Sequence, residues 1–189
     1  MSPPLKVRVR RNHLRGLVFD IENMPGTYGP ADYTHPKITA VACGFLDGKR
    51  SMDWCFNRRN EDDMRTGCQH FQTFWDMADF VVGHNIRRHD RKILDGFFTS
   101  LGLPLLSRKK MVDTYLDQPK MAGFSRSLEN LAARWGCPIQ KLHLSEYDWE
   151  RAYDGVPEGV TLMRKRVISD VQINTWLYHE LVARGLLKW

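Results

Sequence analysis

The sequence predicts an α/β protein in which helices flank a mixed five-stranded sheet. A continuous apolar run over residues 14–21 is typical of a central strand that is buried on both faces. Two more strand-like segments follow it, and beyond residue 61 helical and strand patterns alternate. The 189 residues are the size of a single domain with a full core, so we predict a basic N-terminal arm over residues 1–13 and one domain over residues 14–189.

The first three strands are predicted to pair in antiparallel fashion. Segments 37–46 and 51–56 are rich in strand-forming residues and flank Asp47 and Gly48, a strong hairpin signal. Between the first two strands, the Gly- and Pro-rich residues 23–36 predict a long loop. The chain therefore begins with an antiparallel unit whose first strand ends in acidic residues.

Helices and short strands alternate in the rest of the chain. Apolar residues at helical spacing predict a helix over residues 61–78, and Gly102 and Gly136 mark the ends of two later helices. The predicted elements after the first helix are a strand over 79–85, a helix over 89–102, a strand over 109–115, a helix from Ser125 or Ser127 to Trp135, and a long helix over about 159–185. Residues 138–157 are predicted to be irregular or to hold one short helix. This alternation places helices on both faces of the sheet.

Composition and charge narrow the possible functions. The net charge of +6 favours a polyanionic partner such as a nucleic acid, although moderate basicity also serves solubility. The four cysteines have neither CxxC nor zinc-like spacing, which predicts reduced thiols without disulfide partners. No apolar run approaches the roughly 20 residues of a membrane span, and the N-terminus lacks the apolar core of a signal peptide. We therefore expect a soluble cytoplasmic protein that acts away from membranes.

Four acidic residues in three separate segments carry the strongest functional signal. Asp20 and Glu22 are two apart on a predicted strand, so both side chains point to the same face. Asp90 falls in the first turn of a predicted helix, and Asp170 lies among apolar residues of the long helix, where an unpaired charge is costly. Carboxylates from these elements can converge into the oxygen-rich pocket that two Mg²⁺ or Mn²⁺ ions need, and such a pair of ions hydrolyses phosphodiesters.

Each of these acids also has a purely structural interpretation. Acids at strand ends are common and often solvated, and Asp90 could be an ordinary helix cap. Asp170 could pair with Arg164 or Arg166 at helical spacing. The occurrence of all four acids at these intervals favours the metal interpretation.

Several segments resemble the motifs of a known superfamily and occur in the same order. They are FDIE at 19–22, GHNIRRHD at 83–90 and SDVQINTWLYHEL at 169–181, together with VDTY at 112–115 and SLENLAARWG at 127–136, which resemble the strand and helix between the second and third motifs. The chain is similar in these segments to the DEDD 3′-to-5′ exonucleases, which have a ribonuclease H-like fold and include polymerase proofreading domains and stand-alone phage-like enzymes. The resemblance implies a metal-dependent 3′-to-5′ exonuclease of that fold, acting on single-stranded DNA or RNA ends.

The resemblance also implies roles for individual residues. Asp20, Glu22, Asp90 and Asp170 would hold two divalent cations, Mg²⁺ or Mn²⁺, with Asp20 bridging the two ions. Glu22 would also anchor the terminal 3′-hydroxyl. His84 and Asn85 would line the pocket at the strand end. Apart from the resemblance, basic residues that flank the acids, among them Arg87 and Lys165, are candidate substrate contacts, although such residues are also common on solvated helix faces. For His84, a buried imidazole that caps the loop is an equal alternative.

One position departs from the superfamily. Its members have a Tyr four residues before the last Asp, or a His four or five residues before it, as the base for the attacking water; here Arg166 and Lys165 stand at these positions. An arginine stays protonated, so Arg166 cannot take a proton but could be catalytic by binding the scissile phosphate or stabilising transition-state charge. His143 and Tyr147 are candidate substitutes that also fit ordinary surface roles. The alternatives are therefore a catalytically weak or inactive nucleic-acid-binding module of the same fold, or a structure-selective endonuclease.

Overall fold

The computed structural model describes residues 14–24, 37–119 and 125–187. The basic arm predicted over residues 1–13 lies outside these ranges. Within them, no helix combines the length and the apolar character that crossing a bilayer requires.

The described residues form one mixed sheet, as predicted. Its spatial order is β3-β2-β1-β4-β5, with β1 at the centre. The strands are β1 (Gly16–Asn23), β2 (Ile38–Phe45), β3 (Ser51–Cys55), β4 (Phe80–Gly83) and β5 (Lys110–Asp113). β1, β2 and β3 pair antiparallel, whereas β4 pairs parallel to both β1 and β5. The hairpin between β2 and β3 turns at the predicted position, where Gly48 has a left-handed φ of 70°.

Helices cover both faces of the sheet. They are α1 (Glu61–Met77), α2 (Asp90–Ser100), α3 (Leu128–Trp135), α4 (Glu146–Tyr153) and α5 (Pro157–Ala183). Ser127 caps α3 by accepting a hydrogen bond from the N–H of Asn130, and this selects the second of the two predicted start points. Ser145 and Asp148 form a capping box that starts α4, so the segment with two predicted alternatives holds a short helix.

The strand alternation of β1 divides the core into two layers. Leu17, Phe19 and Ile21 face one layer together with buried residues of α1 and α2, whereas Val18 faces the other with α3, α4 and α5. Asp20 and Glu22 have the same parity as Val18. They therefore lie on the α5 side of the sheet.

Strand β4 ends two residues earlier than predicted because the chain turns sharply after it. A Cβ on Gly83 would lie 2.3 Å from Cγ2 of Ile86 and 3.0 Å from the carbonyl oxygen of Phe19, so this close approach to β1 requires glycine. Asn85 then adopts a left-handed φ of 62°, a conformation that asparagine tolerates. The turn leads directly into α2 and places Asp90 beside the end of β1.

Candidate metal centre

The sheet leaves one end of β1 open for the site. β1 pairs with β2 along its whole length but with β4 only over Gly16–Val18. Beyond Val18, the β4 side of the strand is therefore available to other elements. Asp20 and Glu22 lie in this projecting half, which explains how two helices can reach the same carboxylates.

Helix α5 supplies the third carboxylate. Met163, Val167, Asp170 and Asn174 are buried at intervals of three or four residues and form one face of α5. This face packs against β1, and Asp170 is only 2% exposed. Carboxylate oxygens of Asp20, Glu22 and Asp170 all lie within 4.8 Å of one another. Two motifs that are far apart in the sequence thus meet in one cluster.

Asp90 lies next to this cluster without being one of its three converging members. It is the first residue of α2, it is buried, and its carboxylate accepts backbone hydrogen bonds from its own N–H and from that of Ile21. Its charge acts on Asp20, whose pKa it helps to raise after the larger effect of burial and that of Asp170. Asp90 is therefore an electrostatic neighbour of Asp20 at the open edge of β1.

Burial raises the pKa values of three acids in this centre. Burial raises the pKa of Asp20 well above its usual range and raises that of Glu22 to about 7, even though Arg166 acts in the opposite direction. Burial likewise raises the pKa of Asp90 to about 7 against the effect of its backbone hydrogen bonds. These carboxyl groups therefore bind protons more readily than ordinary carboxylic acids do. A metal ion would have to displace such protons in order to bind.

The donor set fits Mg²⁺ or Mn²⁺. All three converging groups are carboxylates, the hard oxygen ligands that these ions prefer. In the described part of the chain, Oδ1 of Asp170 is buried without a hydrogen-bond partner. A buried orphan of this kind is unusual in a folded protein, and an ion, a water or a protonated neighbouring carboxyl group can satisfy it.

Arg166 enters the acidic centre from the preceding turn of α5. Its Nε donates to Oε1 of Glu22 at 2.8 Å and to Oδ2 of Asp170 at 3.1 Å, and its Nη1 donates to the carbonyl of Leu142. Burial works against its charge, but Glu22 and Asp170 raise the pKa of Arg166 above its usual value. Asp170 therefore pairs with Arg166, as the structural interpretation of this acid predicted. Arg164, the other predicted partner, pairs with Asp53 instead. The pair and the three-carboxylate cluster exist together.

Lys141 is a residue of the acidic centre that the sequence did not indicate. Its Nζ lies 3.1 Å from Oδ2 of Asp170, and its side chain is only 21% exposed. It belongs to the irregular segment between α3 and α4. A single lysine in such a segment has no local pattern that distinguishes it from a surface residue.

Another buried acid, Asp113, organises the loop between β4 and α2. Its Oδ1 accepts hydrogen bonds from the N–H groups of Asn85, Tyr115 and Leu116, and its Oδ2 accepts one from the N–H of Arg87. Asp113 is fully buried at the end of β5. It therefore fixes the backbone of the segment that carries the second motif.

The predicted contact residues of this loop have distinct surroundings. Nδ1 of His84 lies 2.9 Å from the hydroxyl of Thr114, and burial lowers the pKa of His84 to about 4, so its imidazole is neutral. The amide oxygen of Asn85 is buried without a partner among the described residues. The guanidinium of Arg87 is half-exposed and pairs with Asp117.

The remaining candidates lie on the surface. Lys165 is exposed and makes no ion pair with a described residue. Nε2 of His143 lies 3.2 Å from a carboxylate oxygen of Glu129, and the exposed ring of Tyr147 carries the guanidinium of Arg151 at 5.4 Å. His143 and Tyr147 thus have the ordinary surface roles considered for them.

The fold is that of a known class of proteins. No family profile matches the sequence, and no curated protein matches it either. The structure is similar to that of the family B DNA polymerase from the hyperthermophilic archaeon Pyrobaculum calidifontis, with a TM-score of 0.68 and 21% sequence identity. The match covers 89% of this chain and 24% of the polymerase chain. The chain therefore has an α/β, ribonuclease H-like fold, and it spans about a quarter of the length of that polymerase.

Proposed function

We propose that this protein is a metal-dependent 3′-to-5′ exonuclease that hydrolyses phosphodiester bonds at single-stranded DNA or RNA ends. The observation that carries the proposal is the convergence of Asp20, Glu22 and Asp170 within 4.8 Å, beside Asp90, on a fold similar to part of a DNA polymerase. The orphaned Oδ1 of Asp170 supports a cation at this place.

The four acids have the role of metal ligands in this proposal. Asp20, Glu22 and Asp170 hold Mg²⁺ or Mn²⁺, and Asp90 adds negative charge from the open side of β1. When bound, the metal supplies charge neutralisation at the phosphodiester and makes water a better nucleophile.

Substrate contacts come from residues around the acids. Glu22 accepts a hydrogen bond from the terminal 3′-hydroxyl, which directs cleavage to chain ends. Arg166 is held in place by Glu22, Asp170 and Leu142, so its guanidinium can stabilise negative charge on the reacting phosphate without reorganising. Arg87 and Lys165 contact the backbone phosphates, while His84 and Asn85 line the end of the pocket.

The reaction is expected to be slow near neutral pH. Arg166 stays protonated, and the side chains of His143 and Tyr147 have partners elsewhere on the surface. A general base typically increases the rate of such a reaction about 10²- to 10⁴-fold. This chain lacks a base at the position where the superfamily that it resembles has Tyr or His. The rate should rise with pH because the attacking water must lose a proton without such a base.

One alternative function also has structural support, because two cationic side chains pair with the acids. Arg166 and Lys141 partly neutralise the cluster, as expected in a module that binds nucleic acid and has weak or no catalytic activity. The two functions differ in a single observable, which is cleavage of a bound strand in the presence of Mn²⁺.

The test is the digestion of a 5′-labelled single-stranded oligonucleotide with Mn²⁺ at several pH values. We expect a ladder of products shortened one nucleotide at a time, abolished by chelator and by Asp20→Asn or Asp170→Asn. Asp62→Asn, on the exposed first turn of α1, is the matched control and should retain activity. Circular strands and strands that end in a 3′-phosphate should resist digestion.

Three results would contradict the proposal. Full activity of Asp170→Asn would remove the acidic centre from the mechanism. Equal cleavage of circular strands would indicate the endonuclease alternative. Tight binding of the oligonucleotide without cleavage under any condition would indicate the binding module.

A further inference from the structure

Two cationic side chains are built into the acidic centre. Nζ of Lys141 lies 3.1 Å from Oδ2 of Asp170, and Nε of Arg166 lies 3.1 Å from the same oxygen and 2.8 Å from Oε1 of Glu22. Their side chains are only 21% and 12% exposed. Both charges therefore lie among the carboxylates rather than on the rim of the site.

The charge of Lys141 reaches all four acids. It is in direct contact with Asp170. Burial is the largest influence on the pKa values of Asp20, Glu22 and Asp90 and raises them, whereas Lys141 lowers all three. The ammonium group thus contacts Asp170 directly and lies close enough to act on the other three acids.

The charges of the acidic centre indicate how many divalent ions it can bind. The four ionised carboxylates carry four negative charges, and Lys141 and Arg166 compensate two of them. The two that remain equal the charge of one divalent cation. We propose that Lys141 and Arg166 take the place of a second divalent ion, so that the acidic centre binds one Mg²⁺ or Mn²⁺. The inference rests on the proposed function, because it concerns the metal that this function requires.

The hydrogen bonds of the carboxylate oxygens also indicate a single divalent ion. Oδ2 of Asp170 accepts hydrogen bonds from both cations, and Oε1 of Glu22 accepts one from Arg166. These contacts use lone pairs that a second ion would need, whereas Oδ1 of Asp170 is left without a partner in the described ranges. A second divalent ion would also be repelled by the ammonium and guanidinium charges at close range in a poorly solvated site.

The test counts Mn²⁺ ions bound by the full chain. The electron paramagnetic resonance signal of free Mn²⁺ is followed during a titration, with and without adenosine 5′-monophosphate, because a phosphate can bring in an additional ion. Wild-type protein is expected to bind one Mn²⁺ in both conditions. The variant Lys141→Gln/Arg166→Gln is expected to bind two, the second at least about tenfold more tightly than any second ion in the wild type.

A matched control removes the same charge from the surface. Lys49→Gln/Arg50→Gln changes two exposed cations of the turn between β2 and β3 and should bind one Mn²⁺, as the wild type does. Circular dichroism establishes that each variant is folded. If the double variant of the site does not fold, Lys141→Gln alone is titrated, and it should also bind a second ion at least about tenfold more tightly.

Each other outcome has a definite meaning. Two ions in the wild type overturn the inference and leave the proposed function intact. One ion in the wild type and in every folded site variant also overturns it, because Lys141 and Arg166 then do not control the number of ions. No binding to the wild type overturns the proposed function together with the inference.

Discussion

Replacing Glu22 by glutamine should stabilise the metal-free protein in alkaline solution and have much less effect in acid. The carboxyl group of Glu22 is buried, and burial raises its pKa from 4.5 to about 7 against the lowering effect of Arg166. Between these two values the folded protein holds a proton that the unfolded chain releases. The free energy of unfolding therefore falls as the pH rises toward 7, and the whole contribution is lost above it.

The size of the effect follows from the pKa of Glu22. Each unit of pH between about 5 and 7 removes about 1.4 kcal/mol from the wild type, or about 2–3 kcal/mol in total. The glutamine side chain of the variant does not titrate, so its stability relative to the wild type should increase by this amount between about pH 5 and pH 8. Burial lowers the pKa of His84 to about 4, which has the opposite pH dependence, but both proteins share His84 and the difference cancels it.

The assay is urea unfolding of both proteins in chelator, at about pH 5 and pH 8. A thermal melt should show a relative shift of about 4–12 °C for a chain of this length. Added Mn²⁺ should reverse the order at the higher pH, since it stabilises only a folded state that binds it. The exposed Glu150→Gln is the control and should show no such dependence. If Glu22→Gln is equally destabilised at both pH values, the pKa of Glu22 is not raised in the folded protein.

Three further predictions concern the surroundings of the site. Asp113→Ala should cost about 3–5 kcal/mol in urea unfolding, because it removes the buried carboxylate that accepts hydrogen bonds from four backbone N–H groups; a loss below about 1 kcal/mol would contradict this. Gly83→Ala should cost about 1–3 kcal/mol because the new Cβ would lie 2.3 Å from Ile86, whereas Gly44→Ala meets nothing closer than 3.5 Å and should stay within about 1 kcal/mol. Equal effects of the two glycine changes would be inconsistent with the close approach. Lys165→Gln should weaken single-strand binding and reduce the slope of log affinity against log salt by about 0.7, and an unchanged slope would remove Lys165 from the phosphate contacts.

Local patterns in the sequence predicted where the helices and strands lie and that acids from separate segments can converge. The spacing of Cys68, Phe71 and Trp75 on α1 reflects one buried helix face, and this face lies in the core as expected. Asp20 and Glu22 share a face because side chains alternate along a strand, and Asp170 lies on the buried face of α5. Such predictions succeed because the periodicity of a helix or strand directly determines which residues are buried together.

The contacts of irregular segments could not be predicted in this way. Lys141 reaches Asp170 only because the chain between α3 and α4 passes beside α5, and no periodicity encodes that path. The early end of β4 depends on the approach of Gly83 to β1, which is a contact between distant parts of the sequence. Asp113 lies in a strand-like segment of the sequence, and nothing in that pattern indicates that its carboxylate organises the neighbouring loop.

Anomalous diffraction from crystals soaked in Mn²⁺ locates the proposed metal directly. Asp20, Glu22 and Asp170 are proposed to hold a catalytic divalent cation together. We expect an anomalous peak within bonding distance of carboxylate oxygens from all three residues. Crystals in which Mn²⁺ occupies other positions, while Arg166 and Lys141 remain the sole cations at these carboxylates, would contradict it.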